Sequence, residues 1–206
     1  MDEPLGYLAD QVRIALRTEI LRVHRERRLT SVMATASQQD AMVMSDRIAV
    51  LINGSISQVG TPIEIYDRPA TADVASFFGE PAMNLFRAVV RIDQGERRLA
   101  LPWRTIRVWP PVLDRFDGLP VVVGVRPEDI ELGVPQTDGV AAEVVRTESL
   151  GHTTAVAMRT STGDSLRCTV AGVPPRPGTV VDAGFRSDRI HVFDAVSGNA
   201  LHHPGR

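Results

Sequence analysis

Few residues in this sequence have the types and spacing to do chemistry, and the sharpest pair stands at its beginning. Asp2 and Glu3 are adjacent carboxylates followed by Pro4, Leu5 and a turn at Gly6. The pattern reads as the end of a buried strand that carries acidic groups to a polyphosphate. An ordinary acidic, solvated terminus is the alternative. The single cysteine, Cys168, has no His or Asp pattern beside it and reads as an inert, half-buried thiol. One cysteine excludes an intrachain disulfide, which fits a reducing compartment. All 23 basic residues are Arg. A phosphate-binding loop uses a Lys to reach the β- and γ-phosphates. The chain therefore contains no such loop and is not expected to hold a nucleoside triphosphate by itself.

The elements that must position these groups follow from composition and pattern. With 206 residues, 43% hydrophobic and 23% charged, the chain has room for one or two globular domains. A formal charge of −2 gives no bulk reason to expect nucleic acid as a partner. Apolar runs such as 48–52 and 121–123 are too short to span a bilayer, so no direct membrane insertion is expected. Val12, Leu16, Ile20 and Val23 recur at helical spacing, which predicts an amphipathic helix over 10–28 with that stripe buried and its arginines solvated. A short strand is predicted at 31–35. Ser37 and Asp40 mark the start of a helix through Ala41, Met42 and Met44. Asn53-Gly54 joins two strands, 47–52 and 55–59, as a hairpin. Thr61-Pro62 with Glu64 opens a helix that stops before Pro69, and Thr71 opens another that ends at Gly79.

From Leu85 onward, short β-rich runs alternate with turn residues, which predicts a small barrel or sandwich. Phe86, Trp103 and Trp109 are expected in its core or packed on a strand face. The tail 197–206 is expected to fray.

Several motifs in order carry a family resemblance. They are Asp2-Glu3-Pro4-Leu5; Asp40-Ala41-Met42 with Ser45-Asp46-Arg47-Ile48-Ala49-Val50; 58–69, Gln-Val-Gly-Thr-Pro-Ile-Glu-Ile-Tyr-Asp-Arg-Pro; Phe77-Phe78-Gly79; Met83-Asn84; and Gly124-Val125-Arg126-Pro127-Glu128. Together they resemble the ATP-binding subunits of bacterial carbohydrate importers of the ABC class, the maltose/trehalose/glycerol-phosphate type. The resemblance implies an α/β remnant of an ABC ATPase domain over 1–80. An all-β, oligonucleotide-fold-type (TOBE-like) regulatory barrel is implied over 81–206.

By the same resemblance, Asp2 matches the aspartate that holds Mg²⁺, and Glu3 matches the general base that polarises the attacking water. Leu5, Gly6, Leu8, Ala9 and Asp10 match the D-loop, with its Asp displaced by one residue. Ala36 stands at the switch position, where the family has a histidine. The P-loop, glutamine loop and signature motif are not in the sequence and would precede Met1. The expectation is an N-terminally truncated subunit, inactive in ATP hydrolysis alone. ATP and Mg²⁺ are cofactors by resemblance only, and neither is expected to bind this chain by itself. Permease subunits and a second ATPase subunit are the implied partners; activity would need an N-terminal half from another polypeptide or a start upstream of Met1. The implied location is cytoplasmic, peripheral to the membrane. A non-catalytic regulatory or ligand-binding β module, or a degenerate gene fragment, are the alternatives.

Overall fold

A computed structural model describes residues 1–133 and 139–205. The chain divides into two compact units, Met1–Tyr66 and Asp67–Arg206. The sequence predicts a boundary after residue 80, whereas the compact units divide after Tyr66. The segment that falls on the other side of the divide contains α4 (Ala72–Phe77), whose Val74 and Ala75 are buried.

In the first unit, α1 (Asp10–Arg27) and α2 (Gln38–Met44) precede the hairpin of β1 (Ile48–Ile52) and β2 (Ser55–Gly60). α3 follows at Pro62–Asp67. Local signals act where the sequence places them. Asn53 and Gly54 both take positive φ, 50° and 77°, as a two-residue hairpin turn requires. Ser37 Oγ accepts from Asp40 N at 3.2 Å to cap α2. Thr61 and Glu64 cap each other reciprocally, Thr61 N to Glu64 Oε2 at 2.8 Å and Glu64 N to Thr61 Oγ1 at 3.3 Å.

Two expectations for this unit change. The apolar stripe of α1 is not its buried face: Val12 and Val23 are exposed, and the buried residue of the helix is Arg17. The reason is electrostatic. Arg17 Nε donates to the buried carboxylate of Asp40, and its Nη2 reaches Gln39 Oε1 at 3.4 Å. A buried carboxylate is held only with such a partner. Segment 31–35 forms no full strand. Only Ala34 bridges, in parallel, to Asp2.

In the second unit, two antiparallel sheets enclose one core. The six-stranded sheet contains β3 (Asn84–Asp93), β4 (Glu96–Ala100), β5 (Thr105–Val108), β6 (Pro120–Val125), β12 (His191–Asp194) and β13 (Ala200–His202), in the order β13-β12-β6-β3-β4-β5. The five-stranded sheet contains β7 (Ile130–Leu132), β8 (Val140–Ser149), β9 (Thr154–Thr160), β10 (Ser165–Val170) and β11 (Val180–Phe185), in the order β10-β9-β8-β11-β7. Strict in–out alternation, as in Val140, Ala142 and Val144 on β8 and Val156 and Met158 on β9, sends one face of each strand into a common cluster with Val90, Leu99, Val121 and Val123. Cys168 lies fully inside that cluster, more deeply than the sequence suggests, and burial pushes its thiol up to about 12.

Asn84 links the sheets. Its side chain donates to Val125 O at 3.2 Å and Arg167 O at 2.8 Å, and accepts from Arg167 N at 2.7 Å. Gly124 admits the close approach of Met83, since a Cβ there would lie 2.5 Å from the Met83 sulfur. Buried Arg126 donates to the carbonyls of Ala75 and Phe78, satisfying the C-terminal end of α4.

The tail is not frayed over its described length. β13 pairs with β12, and Ala200 N donates to Ala70 O at 2.9 Å. Arg206 lies outside the described residues. Of the three aromatics expected to pack, Phe86 and Trp103 do so edge to face, with centroids 4.8 Å apart. Trp109 is instead 61% exposed, because β5 is an edge strand and ends one residue before it.

Candidate functional site

The Asp2–Glu3 corner is built by backbone pairing with the segment that carries Ala36. Ala34 N donates to Met1 O and Glu3 N donates to Ala34 O, each at 2.9 Å. Glu3 then turns into the left-handed region, φ 42°, a costly conformation for a residue with a Cβ. That turn brings its carboxylate onto the same segment. Oε1 accepts from Ala36 N at 2.5 Å, and Oε2 accepts from Thr35 Oγ1 at 3.1 Å. Thr35 Oγ1 in turn accepts from Ser37 N at 3.1 Å. The polar chain therefore runs from Glu3 through Thr35 and Ser37 to Asp40 and on to Arg17.

The other predicted residues divide between packing and solvent. Leu5 is buried, at 1% exposure, and anchors the turn. Gly6 lies close under the Glu3 side chain, since a Cβ there would sit 3.4 Å from Glu3 Oε2. Leu8 is half-buried and Ala9 is the N-cap of α1 without a side-chain hydrogen bond. Asp10 occupies the first turn of α1, where a negative charge suits the helix dipole. Asp2 is exposed, and so is Ala36, whose methyl has nothing polar to offer.

This corner offers a Mg²⁺–nucleotide one exposed carboxylate, that of Asp2. Mg²⁺ takes near-octahedral oxygen ligands, commonly one or two carboxylates with phosphates and waters. Asp2, the metal ligand by resemblance, is exposed, while each oxygen of Glu3, the base by resemblance, accepts one hydrogen bond from the protein. Among the described residues no group of three or more His, Cys, Asp or Glu could hold a metal ion. The sequence supplies no Lys for the phosphates.

A second polar cluster lies in the other unit and was not found from sequence. His191 Nδ1 and His203 Nδ1 stand 3.1 Å apart. Burial, reinforced by the neighbouring histidines and arginines, drives His191 down to about 3 and His203 to about 4, so both are neutral near pH 7. One nitrogen donates and the other accepts. The only sequence signal was two histidines beside each other near the end of the chain, 202 and 203.

Comparison with known proteins gives the family context. Residues 79–130 match the MalK OB fold domain, and 123–193 match the TOBE domain. The trehalose/maltose import ATP-binding protein MalK of Thermococcus litoralis is 36% identical over 98% of this chain and 56% of its own length. The sn-glycerol-3-phosphate import ATP-binding protein UgpC of Chromobacterium violaceum is 35% identical over 98% of this chain and 54% of its own. The xylose/arabinose import ATP-binding protein XacK of Haloferax volcanii is 37% identical over 98% and 53%. The chain spans about half the length of the curated relatives it matches, and the match falls on their C-terminal part. Among the described residues no helix is long and apolar enough to cross a membrane.

Proposed function

We propose, for a chain that belongs to the family of ATP-binding subunits of carbohydrate ABC importers and matches their C-terminal part, that it supplies the regulatory β region of such a subunit. The preceding segment is the closing end of an ATPase domain and does not hydrolyse ATP alone. One observation carries the second half of this reading. The Glu3 carboxylate, the candidate general base, is held on both oxygens by Thr35 and Ala36. A base so engaged keeps fewer lone pairs with which to orient a water. Ala36 adds to this, for it has no side-chain atom to contact a γ-phosphate.

In the assembled importer the chain works with permease subunits and a second ATPase subunit at the cytoplasmic face of the membrane. The test measures Mg²⁺-ATP binding and phosphate release by the chain alone, then after adding the N-terminal half of a relative. No binding and no release are expected alone, with weak release in the mixture, rising in an Ala36→His variant. Phosphate release by the purified chain alone overturns the reading.

A further inference from the structure

The outer face of the five-stranded sheet carries a trough whose floor is made of alanines. On β9, Ala155 and Ala157 point to the same face, and the register puts each in a row across three strands. Ala157 lies between Arg146 of β8 and Arg167 of β10. Ala155 lies between Glu148 of β8 and Thr169 of β10. Directly opposed residues share a face, so the two arginines flank a methyl group, with backbones about 10 Å apart across two strand spacings. The next row ends the floor by placing Arg159 between Glu143 and Ser165. Glu80, Pro81 and Ala82 complete the walls of a cleft of about 290 Å³.

Charge in this cleft is distributed unequally. Arg146 and Glu148 pair weakly at 3.4 Å, and both are more than half exposed. Among the described residues the Arg167 guanidinium has no ion-pair or hydrogen-bond partner, and neither has the Glu80 carboxylate. The Arg167 backbone, by contrast, is fixed at both its N–H and its C=O by Asn84. The side chain therefore projects from an anchored point on the sheet. Two planar guanidinium groups across a small-residue floor suit a phosphate oxygen pair, which Arg binds in a bidentate fork. A free carboxylate on the wall disfavours a bare anion and suits hydroxyl donors. The cleft volume accommodates a body of monosaccharide size.

We propose that this trough binds a small phosphorylated polyol, its phosphate between Arg146 and Arg167 and its hydroxyls toward Glu80. The proposal deepens the reading of the β region as a regulatory module and rests on it for the site's purpose, though not for its existence. Titration calorimetry on the full chain tests it with glucose 6-phosphate, glucose and inorganic phosphate as probes. Glucose 6-phosphate is expected to bind more tightly than either of the other two. Arg167→Ala is expected to weaken it about tenfold or more, the loss of a charge-assisted fork. That variant keeps the backbone that Asn84 grips. Ala157→Leu fills the floor without altering charge and is expected to abolish binding. No heat with glucose 6-phosphate, equal affinity for glucose or inorganic phosphate, or binding that survives both variants overturns the proposal. Phosphate release from ATP by the chain alone removes the preceding reading and leaves this titration unaffected. A silent titration removes the site and leaves that reading in place.

Discussion

The carboxamide of Asn84 engages Arg167 as a neighbouring strand would, accepting from its N–H at 2.7 Å and donating to its C=O at 2.8 Å. β10 is an edge strand of its sheet, and edge strands leave such groups unpaired. One side chain from β3 thus satisfies part of that edge and fastens one sheet to the other. It also donates to Val125 O at 3.2 Å, so Asn84 is buried with its hydrogen-bonding capacity largely used.

Asn84→Leu is expected to destabilise the chain by about 1–3 kcal/mol, since the part-buried N–H and C=O of Arg167 lose their partner. Asn84→Asp keeps the acceptor and loses the donor, so it is expected to be destabilising as well. Chemical denaturation followed by tryptophan fluorescence reads both, with Trp103 as a reporter inside the β unit. A variant with unchanged midpoint and slope would show that Asn84 is not a clasp.

The paired histidines predict an acid-side loss of stability. Both His191 and His203 have folded values below the ordinary 6.5, at about 3 and about 4, with burial as the main cause. His202, also lowered by burial, and the cations Arg126, Arg189 and Arg68 are the titratable and charged groups acting on them. The unfolded chain takes up protons that the folded chain refuses. Their contribution is therefore fully present above pH 6.5 and is lost as pH falls from 6.5 toward 4. Denaturation midpoints across that window are expected to decline, and to decline less steeply in a His203→Gln variant. Equal slopes for the two proteins count against it.

Gly124 tests close packing. A methyl at this position meets the Met83 sulfur at 2.5 Å and Phe193 at 3.0 Å. Gly124→Ala is expected to cost about 1–3 kcal/mol through overpacking. Adding Met83→Ala is expected to recover part of it by opening space, a non-additivity that a double-mutant cycle measures. Simple additivity would mean that the cost has another source.

Arg17 and Asp40 predict a local effect in the first unit. Removing one partner of a buried pair leaves an uncompensated charge, so Asp40→Ala is expected to cost about 3–5 kcal/mol. Replacing both, as in Arg17→Met with Asp40→Leu, is expected to cost less than the single change. Amide exchange should report the single variant as faster exchange across α1 and α2, with β3 and β6 still protected. Uniform loss of protection in both units would contradict a local role.

Much of this molecule was legible from local chemistry. Capping by Ser37, Thr61 and Thr71, the Asn53-Gly54 turn and the alternation along β8 and β9 each depend on residues close in sequence. The adjacency of Asp2 and Glu3 and the absence of Lys bounded the candidate chemistry in the same way. Pattern failed where a long-range partner outweighed it. The α1 stripe has the spacing of a buried face, but Asp40, 23 residues away, draws Arg17 inward instead. The tail has the composition of a frayed end, but Ala70 and β12 hold it.

The candidate site divides along the same line. Residue identity alone established that Ala36 has no polar side-chain atom and that two carboxylates stand side by side. Only the tertiary structure decided that the Glu3 carboxylate closes onto Thr35 and Ala36, that His191 meets His203, and that Asn84 grips Arg167 from 83 positions away. The physical reason is that caps and turns are satisfied within a few residues. A buried charge or an unpaired strand edge must find its partner wherever the folded chain brings one.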